Sequence, residues 1–241
     1  MIAVPPVELV GDTEPEAVLR WAYESFPRVA IVTSFQAESS VIIDMASRIR
    51  RDLHVLTLDT GRLAPETHDM IDRVRERYGI AIQVITPDPD EVRQMVAARG
   101  TNLFYRSVAN RRLCCEIRKS RPLARALHGY DAWVTGIRRD QTATRARTEL
   151  AGLDQLHPGK TKIAPLALWS REQVWSYIRE HELPYHSLYD RGYTSIGCAP
   201  CTRPAATGEG ERSGRWWWEE NATKECGLHV STSSFQEEAT A

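Results

Sequence analysis

Val29-Ala30-Ile31-Val32-Thr33-Ser34 is a short apolar run that ends in a polar loop, and a helical periodicity follows it over residues 38–50. A continuous apolar run suits a strand buried on both faces, and the periodic segment suits a helix laid across it. The unit recurs: residues 53–58 are followed by 65–78, residues 81–85 by 90–99, and a further strand is predicted at 132–135. Strands alternating with helices predict a parallel sheet with helices on both faces, an α/β fold. In such sheets ligands bind beyond the carboxyl ends of the strands, at a topological switch point. Chemistry is therefore expected in the loops after Ser34, Leu58 and Thr135.

Two more helical stretches are predicted, residues 102–128 and 170–181, the second with Ser170 as N-cap and Glu172 and Gln173 in its first turn. From Leu183 to Arg215 Pro, Gly, Ser, Thr and charged residues dominate, and a loop-rich stretch of that length is functional or disordered. Residues 230–241 are polar and expected to fray. There is no internal repeat and no low-complexity block. A chain of 241 residues with 42% hydrophobic content is expected to form one domain plus a tail. Thirty-one basic residues against thirty-two acidic ones leave no global field that favours nucleic acid or membrane. A bound anion must meet a local cluster of charge. Residues 1–11 carry no basic, then apolar, leader pattern, and no run approaches the ~18 apolar residues of a membrane span. The expectation is a soluble, cytoplasmic protein.

Five cysteines are too few for a disulfide scaffold in a chain of this length. Four form two pairs, the vicinal Cys114-Cys115 and Cys198-x-x-Cys201, while Cys226 stands alone. Four thiolates suit tetrahedral zinc or an iron-sulfur cluster. Successive side chains diverge and do not easily meet at one small ion, so the vicinal pair favours the larger cluster. Arg118 and Lys119 follow that pair and can hold a negative group beside it. The bland alternative is that Cys114 and Cys115 are buried helix residues unrelated to the second pair. Cys226 lies in Lys224-Glu225-Cys226-Gly227-Leu228-His229, where nearby cations favour a thiolate, or it is an inert surface thiol.

Seven motifs in order carry a resemblance across residues 34–229. They are Ser34-Phe35-Gln36-Ala37-Glu38-Ser39; Leu58-Asp59-Thr60-Gly61-Arg62-Leu63 with Pro65-Glu66-Thr67; Cys114-Cys115 with Arg118-Lys119; Thr135-Gly136-Ile137-Arg138-Arg139-Asp140-Gln141; Gly197-Cys198-Ala199-Pro200-Cys201; Arg212-Ser213-Gly214-Arg215-Trp216; and Glu225-Cys226-Gly227-Leu228-His229. Together they resemble the adenylyl-sulfate reductase branch of the sulfonucleotide reductases. The resemblance implies a parallel-sheet, adenine nucleotide alpha hydrolase-like (PP-loop) fold. Residues 1–215 would form the sulfonucleotide-binding domain with its iron-sulfur site, and residues 216–241 a mobile C-terminal tail.

It further implies a 4Fe-4S cluster on Cys114, Cys115, Cys198 and Cys201, and a nucleophile at Cys226. Lys119, Arg145, Arg212 and Arg215 would bind the substrate's oxyanions, and Leu58 and Gly136 would meet the adenosine half, with Ser34, Thr60 and Gly61 as secondary contacts. The implied reaction is thioredoxin-dependent reduction of adenylyl sulfate to sulfite and AMP through an S-sulfocysteine, in sulfate assimilation and cysteine biosynthesis. The four cluster cysteines favour adenylyl sulfate over its 3'-phosphorylated form, although relatives that take both exist. The sequence leaves a homo-oligomer open. In the first loop Phe35 and Gln36 replace the glycines with which related ATP-using enzymes cradle pyrophosphate, which argues against ATP cleavage. Trp216, Trp217 and Trp218 are expected to pack the tail. The rival from another class is a structural-zinc protein that binds nucleotide or nucleic acid through residues 203–215.

Overall fold

The computed structural model describes residues 14–219, 224–225 and 227–228. The expectations placed on Cys226, His229 and residues 230–241 lie outside them. The chain runs α1 (Pro15–Ser25), β1 (Val29–Thr33), α2 (Ala37–Ile49), β2 (His54–Leu58), α3 (Pro65–Tyr78), β3 (Ile82–Ile85), α4 (Pro89–Arg99), α5 (Val108–Cys115), α6 (Arg121–Leu127), β4 (Ala132–Val134), β5 (Ala151–Leu153), β6 (Thr161–Ile163) and α7 (Arg171–Glu180). The strand order is β3-β2-β1-β4-β6-β5. Every pair is parallel except β5 with β6.

Alternation along β1 explains the two covered faces. Val29 and Ile31 point into a core shared with α1, α2 and α7, including Val18, Val41, Ile42 and Val174. Ala30 points the other way, onto Leu123 and Leu127 of α6 and onto Trp133. Because the chain leaves β1 toward β2 and β3 and returns to β4 on the opposite flank, the order reverses between β1 and β4. That is the switch point. At the far flank the buried Trp133 indole donates to Asp154 Oδ2 over 2.6 Å, and His157 Nδ1 meets the same oxygen at 2.6 Å. Burial alone would raise the Asp154 pKa, but the His157, Leu156 and Trp133 hydrogen bonds bring it down to about 2.

Helix α7 starts as its sequence predicts, with Ser170 and Gln173 exchanging bonds in a capping box. Three features differ from expectation. Helix α1 and strands β5 and β6 were not anticipated; each of these strands is three residues long, too short to show a period. The stretch 102–128 is not one helix. A 3₁₀ turn at Leu103–Tyr105 precedes α5, and a π-helical turn at Glu116–Ser120 separates α5 from α6. Pro122 has no N–H and cannot continue the α ladder back to residue 118. The Arg121 N–H instead closes a wider turn onto the Glu116 carbonyl.

His186 ties α3 to the loop-rich segment. It is fully buried, and its Nδ1 accepts from the Leu188 N–H over 3.3 Å. The ring proton therefore sits on Nε2, which donates to Thr67 Oγ1 at 3.0 Å. Burial pushes its pKa from 6.5 down to about 4. Below pH 6.5 the unfolded chain takes up a proton that the folded chain refuses, so stability present above that pH is lost as it falls toward 4. Denaturant unfolding measured between pH 7 and 4.5 should show this group adding a slope approaching ~1.4 kcal/mol per pH unit. His186→Gln should flatten the curve by that amount.

Candidate active site

The cleft at the switch point is built by the loops leaving β1, β2 and β4. Thr33 Oγ1 accepts the Phe35 N–H at 2.9 Å, and Phe35 takes a left-handed conformation, φ +54°. Such a conformation strains a non-glycine residue, and the Phe35 ring offsets it by sinking into the core. The first loop thus keeps a bend that glycine usually makes. Gln36 holds the opposite wall: its side-chain oxygen accepts the Ile196 N–H at 2.7 Å and the Ser195 hydroxyl at 3.3 Å.

Eight of the residues expected from sequence line this cleft together: Ser34, Leu58, Thr60, Lys119, Gly136, Arg145, Arg212 and Arg215. Leu228, from the C-terminal segment, lines it too and packs in the layer containing Leu56 and Trp133. Gly61 is not among the lining residues. It takes a left-handed φ of +67°, and a Cβ there would stand 3.4 Å from the Arg118 guanidinium. It serves the turn that lets Arg118 donate to the Thr60 carbonyl at 2.6 Å.

Behind the cleft is a second, smaller chamber lined by Cys114, Cys115, Cys198 and Cys201 with Arg62, Phe104, Arg111, Arg118, Lys119 and Trp216. The C-terminal end of α5 and the 3₁₀ turn at Ala199–Cys201, with Cys198 at its N-cap, present the two cysteine pairs to it. Lys119 and Arg215 line both cavities and form the wall between them. Gly197 makes room for that wall, since a Cβ there would lie 2.2 Å from the Arg215 guanidinium. Burial alone would raise the Cys198 pKa, but the Lys119 charge and the Thr60 hydroxyl, 3.2 Å from its sulfur, bring it below the ordinary thiol value. Burial pushes Cys201 up to about 11.

Does this chamber fit an iron-sulfur cluster? Arg118 Nε, Arg215 Nε and Trp216 Nε1, all on lining residues, are buried N–H groups without a partner among the described residues. Buried donors are ordinarily satisfied, and a cluster's sulfides and thiolates are the acceptors these lack. Among the described residues no three His, Cys, Asp or Glu side chains converge as a single metal ion would need. The four sulfurs line a volume instead of meeting at a point, and that fits a cube with one thiolate per iron. The donor set fits the group.

The walls are held by buried ion pairs that the sequence did not reveal. Arg138, only 1% exposed, donates to Glu38 at 2.9 Å and to both Glu211 oxygens at 3.1 and 2.8 Å, and it also reaches Asp140. Burial, with the Glu38 charge beside it, raises the Glu211 pKa despite Arg138. Arg111 donates to both Glu219 oxygens at 3.0 and 2.9 Å. Trp216, at φ +43°, lies under the guanidinium groups of Arg111 and Arg215, at 4.5 and 4.7 Å. It packs the cysteine chamber, while Trp217 and Trp218 contact Tyr105. Arg145 grips the Glu225 carboxylate through two bonds of 2.8 Å each, and Arg212 adds a third at 3.3 Å. Burial would raise the Glu225 pKa, but Arg145 and Arg212 lower it overall. Among the described residues no helix is long and apolar enough to cross a membrane.

Comparison with known proteins places this architecture. Residues 28–204 match the family model described as the phosphoadenosine phosphosulfate reductase domain. The adenosine 5'-phosphosulfate reductase of Pseudomonas aeruginosa is 48% identical over 226 residues, which cover 92% of this chain and 84% of that one. That of Allochromatium vinosum is 47% identical, over 83% and 78%. A crystal structure of phosphoadenylyl-sulfate reductase from Candida auris, a phosphate complex, superposes with a TM-score of 0.70 at 28% identity, covering 84% of this chain and 99% of that one. The FMN adenylyltransferase of Candida glabrata, at 12% identity and a TM-score of 0.58 over 98% and 84% of the two chains, shares the fold alone. With the match spanning most of its length, the chain belongs to the phosphoadenosine phosphosulfate reductase domain family.

Proposed function

We propose that the protein reduces adenylyl sulfate to sulfite and AMP, with Cys226 as nucleophile and a dithiol protein of the thioredoxin type as electron donor. One observation carries this reading: the four-cysteine chamber and the anion-binding cleft share Lys119 and Arg215 as a common wall. The names of the bacterial relatives support adenylyl sulfate as the substrate. The setting is sulfate assimilation toward cysteine, in the cytosol, where thiols stay reduced.

The substrate joins phosphate to sulfate through a mixed anhydride. In this reading Lys119, Arg145, Arg212 and Arg215 hold its oxyanions, arginine by paired bonds and lysine as a point charge. Backbone groups of Leu58 and Gly136 meet the adenosine half, beside Ser34 and Thr60, while Gly61 shapes the turn that carries Thr60. The Cys226 thiolate attacks sulfur, the bond from sulfur to the phosphate oxygen breaks, and AMP leaves with the negative charge those cations stabilise. A thiolate of the donor then attacks the Cys226 sulfur and releases sulfite, and the donor's second thiol closes its disulfide, so the two electrons come from that dithiol. Cys114, Cys115, Cys198 and Cys201 would hold the 4Fe-4S cluster, which when bound supplies a local field and anchors the segment bearing Lys119.

Anaerobically purified protein should release sulfite from adenylyl sulfate at least about tenfold faster, per kcat/KM, than from the 3'-phosphorylated form, or ~1.4 kcal/mol of discrimination. The reverse preference would assign it to the other substrate. Cys226→Ser should form no labelled adduct from ³⁵S-adenylyl sulfate while AMP affinity stays within about threefold; sulfite production by that variant sinks the mechanism. Cys198→Ser should lose the visible absorbance and the iron, expected at about four atoms per chain. Zinc in place of iron would instead support a structural site.

A further inference from the structure

Arg145 and Arg212 meet a carboxylate of the chain itself, and the surrounding contacts show what that carboxylate is for. Glu225 is buried. Besides Arg145 and Arg212, it receives the Thr144 hydroxyl at 3.3 Å. The backbone on both sides of the side chain is gripped as well. The Lys224 carbonyl accepts from Arg212 at 2.9 Å, and the Glu225 carbonyl accepts from Arg111 at 2.8 Å. Arg111 is in turn immobilised between Glu219 and the Trp216 ring.

A carboxylate that merely filled an empty anion seat would need only side-chain contacts. Two successive carbonyls bound in addition fix the direction in which the main chain leaves Glu225. The next described residues are fixed too: Leu228 packs into the layer beneath the cleft, and a Cβ on Gly227 would meet the Ser120 hydroxyl at 3.1 Å. The chain is therefore pinned immediately before and immediately after position 226.

We propose that Glu225 is a positioning residue for the nucleophile: its carboxylate, clamped by Arg145, Arg212 and Thr144, seats the C-terminal segment so that the thiol of the next residue is presented to substrate in the cleft. This rests on the reading of Cys226 as nucleophile given above. Arg145 and Arg212 then serve the protein's own tail as well as the substrate, each guanidinium having enough donors for two partners.

The test is single-turnover transfer from ³⁵S-adenylyl sulfate to the cluster-loaded, full-length protein, with AMP affinity measured in parallel. In Glu225→Gln the transfer rate at saturating substrate should fall about 10- to 100-fold, as misplacement by about an ångström does, while AMP binds at least as tightly as to wild type. Glu225→Asp keeps the charge on a shorter arm and should recover part of the rate; it carries the same test if the Gln variant does not fold. An unchanged rate at saturation overturns the proposal. A faster rate with tighter AMP binding also overturns it and marks Glu225 as a competitor for the anion seat. Failure of the wild-type protein to form any adduct would instead strike the function reading, so the two failures are distinguishable.

Discussion

A guanidinium group taken out of water must find carboxylates, carbonyls or a bound anion, because leaving one buried and uncompensated costs about 3–5 kcal/mol. Here Arg111, Arg118, Arg138, Arg145, Arg212 and Arg215 are all buried around the carboxyl edge of one parallel sheet. Everything else at that edge answers this constraint. Glu38, Glu219 and Glu225 are buried and Glu211 is half-buried to meet them, Glu38 from the first turn of α2 and the other three from the segment after the cysteine pair Cys198 and Cys201. The resulting cleft is rigid because its charges are cross-braced: Arg138 alone ties the start of α2 to the loop bearing Arg212 and Arg215.

The same bracing separates two tasks within a small volume. Lys119 and Arg215 form a partition with thiols on one side and the nucleotide-sized cleft on the other. Positive charge placed there acts on both compartments, adding to Arg145 and Arg212 in the cleft and to Arg62, Arg111 and Arg118 in the chamber. Trp216 supplies the flat surface on which Arg111 and Arg215 stack, so the partition stays put without a covalent link.

The parallel core was legible because β1 and β2 show as short apolar runs followed by helices long enough to display a period, and the switch point followed from strand order. Most residues that line the cleft and the cysteine chamber were legible through seven motifs in family order, not through spacing alone, although Arg145 lies outside all seven. What stayed hidden was pairing. Nothing in the order of residues says that Glu38 meets Arg138 a hundred positions later, or that Gln36 braces Ile196; those partners are created by the fold. The three-residue strands β5 and β6 were equally hidden, since, unlike the apolar Ala132-Trp133-Val134 of β4, their runs are interrupted by Gly152 and Lys162. Phe35 defeated composition-based reasoning for another reason, because burial of its ring sustains a backbone shape its residue type disfavours.

The π-helical turn at Glu116–Ser120 has a bearing on how one lysine can serve two neighbouring sulfurs. On an α-helix successive side chains fan out by about 100°, so a residue four places after Cys115 shares its side but, being five places after Cys114, looks away from that one. Closing the ring one residue wider turns the fifth position back toward its starting azimuth. Lys119 can then lend its charge to Cys114 as well as to Cys198 across the chamber. A chain shortened by a single residue in this turn would keep every cysteine and still lose that shared outlook.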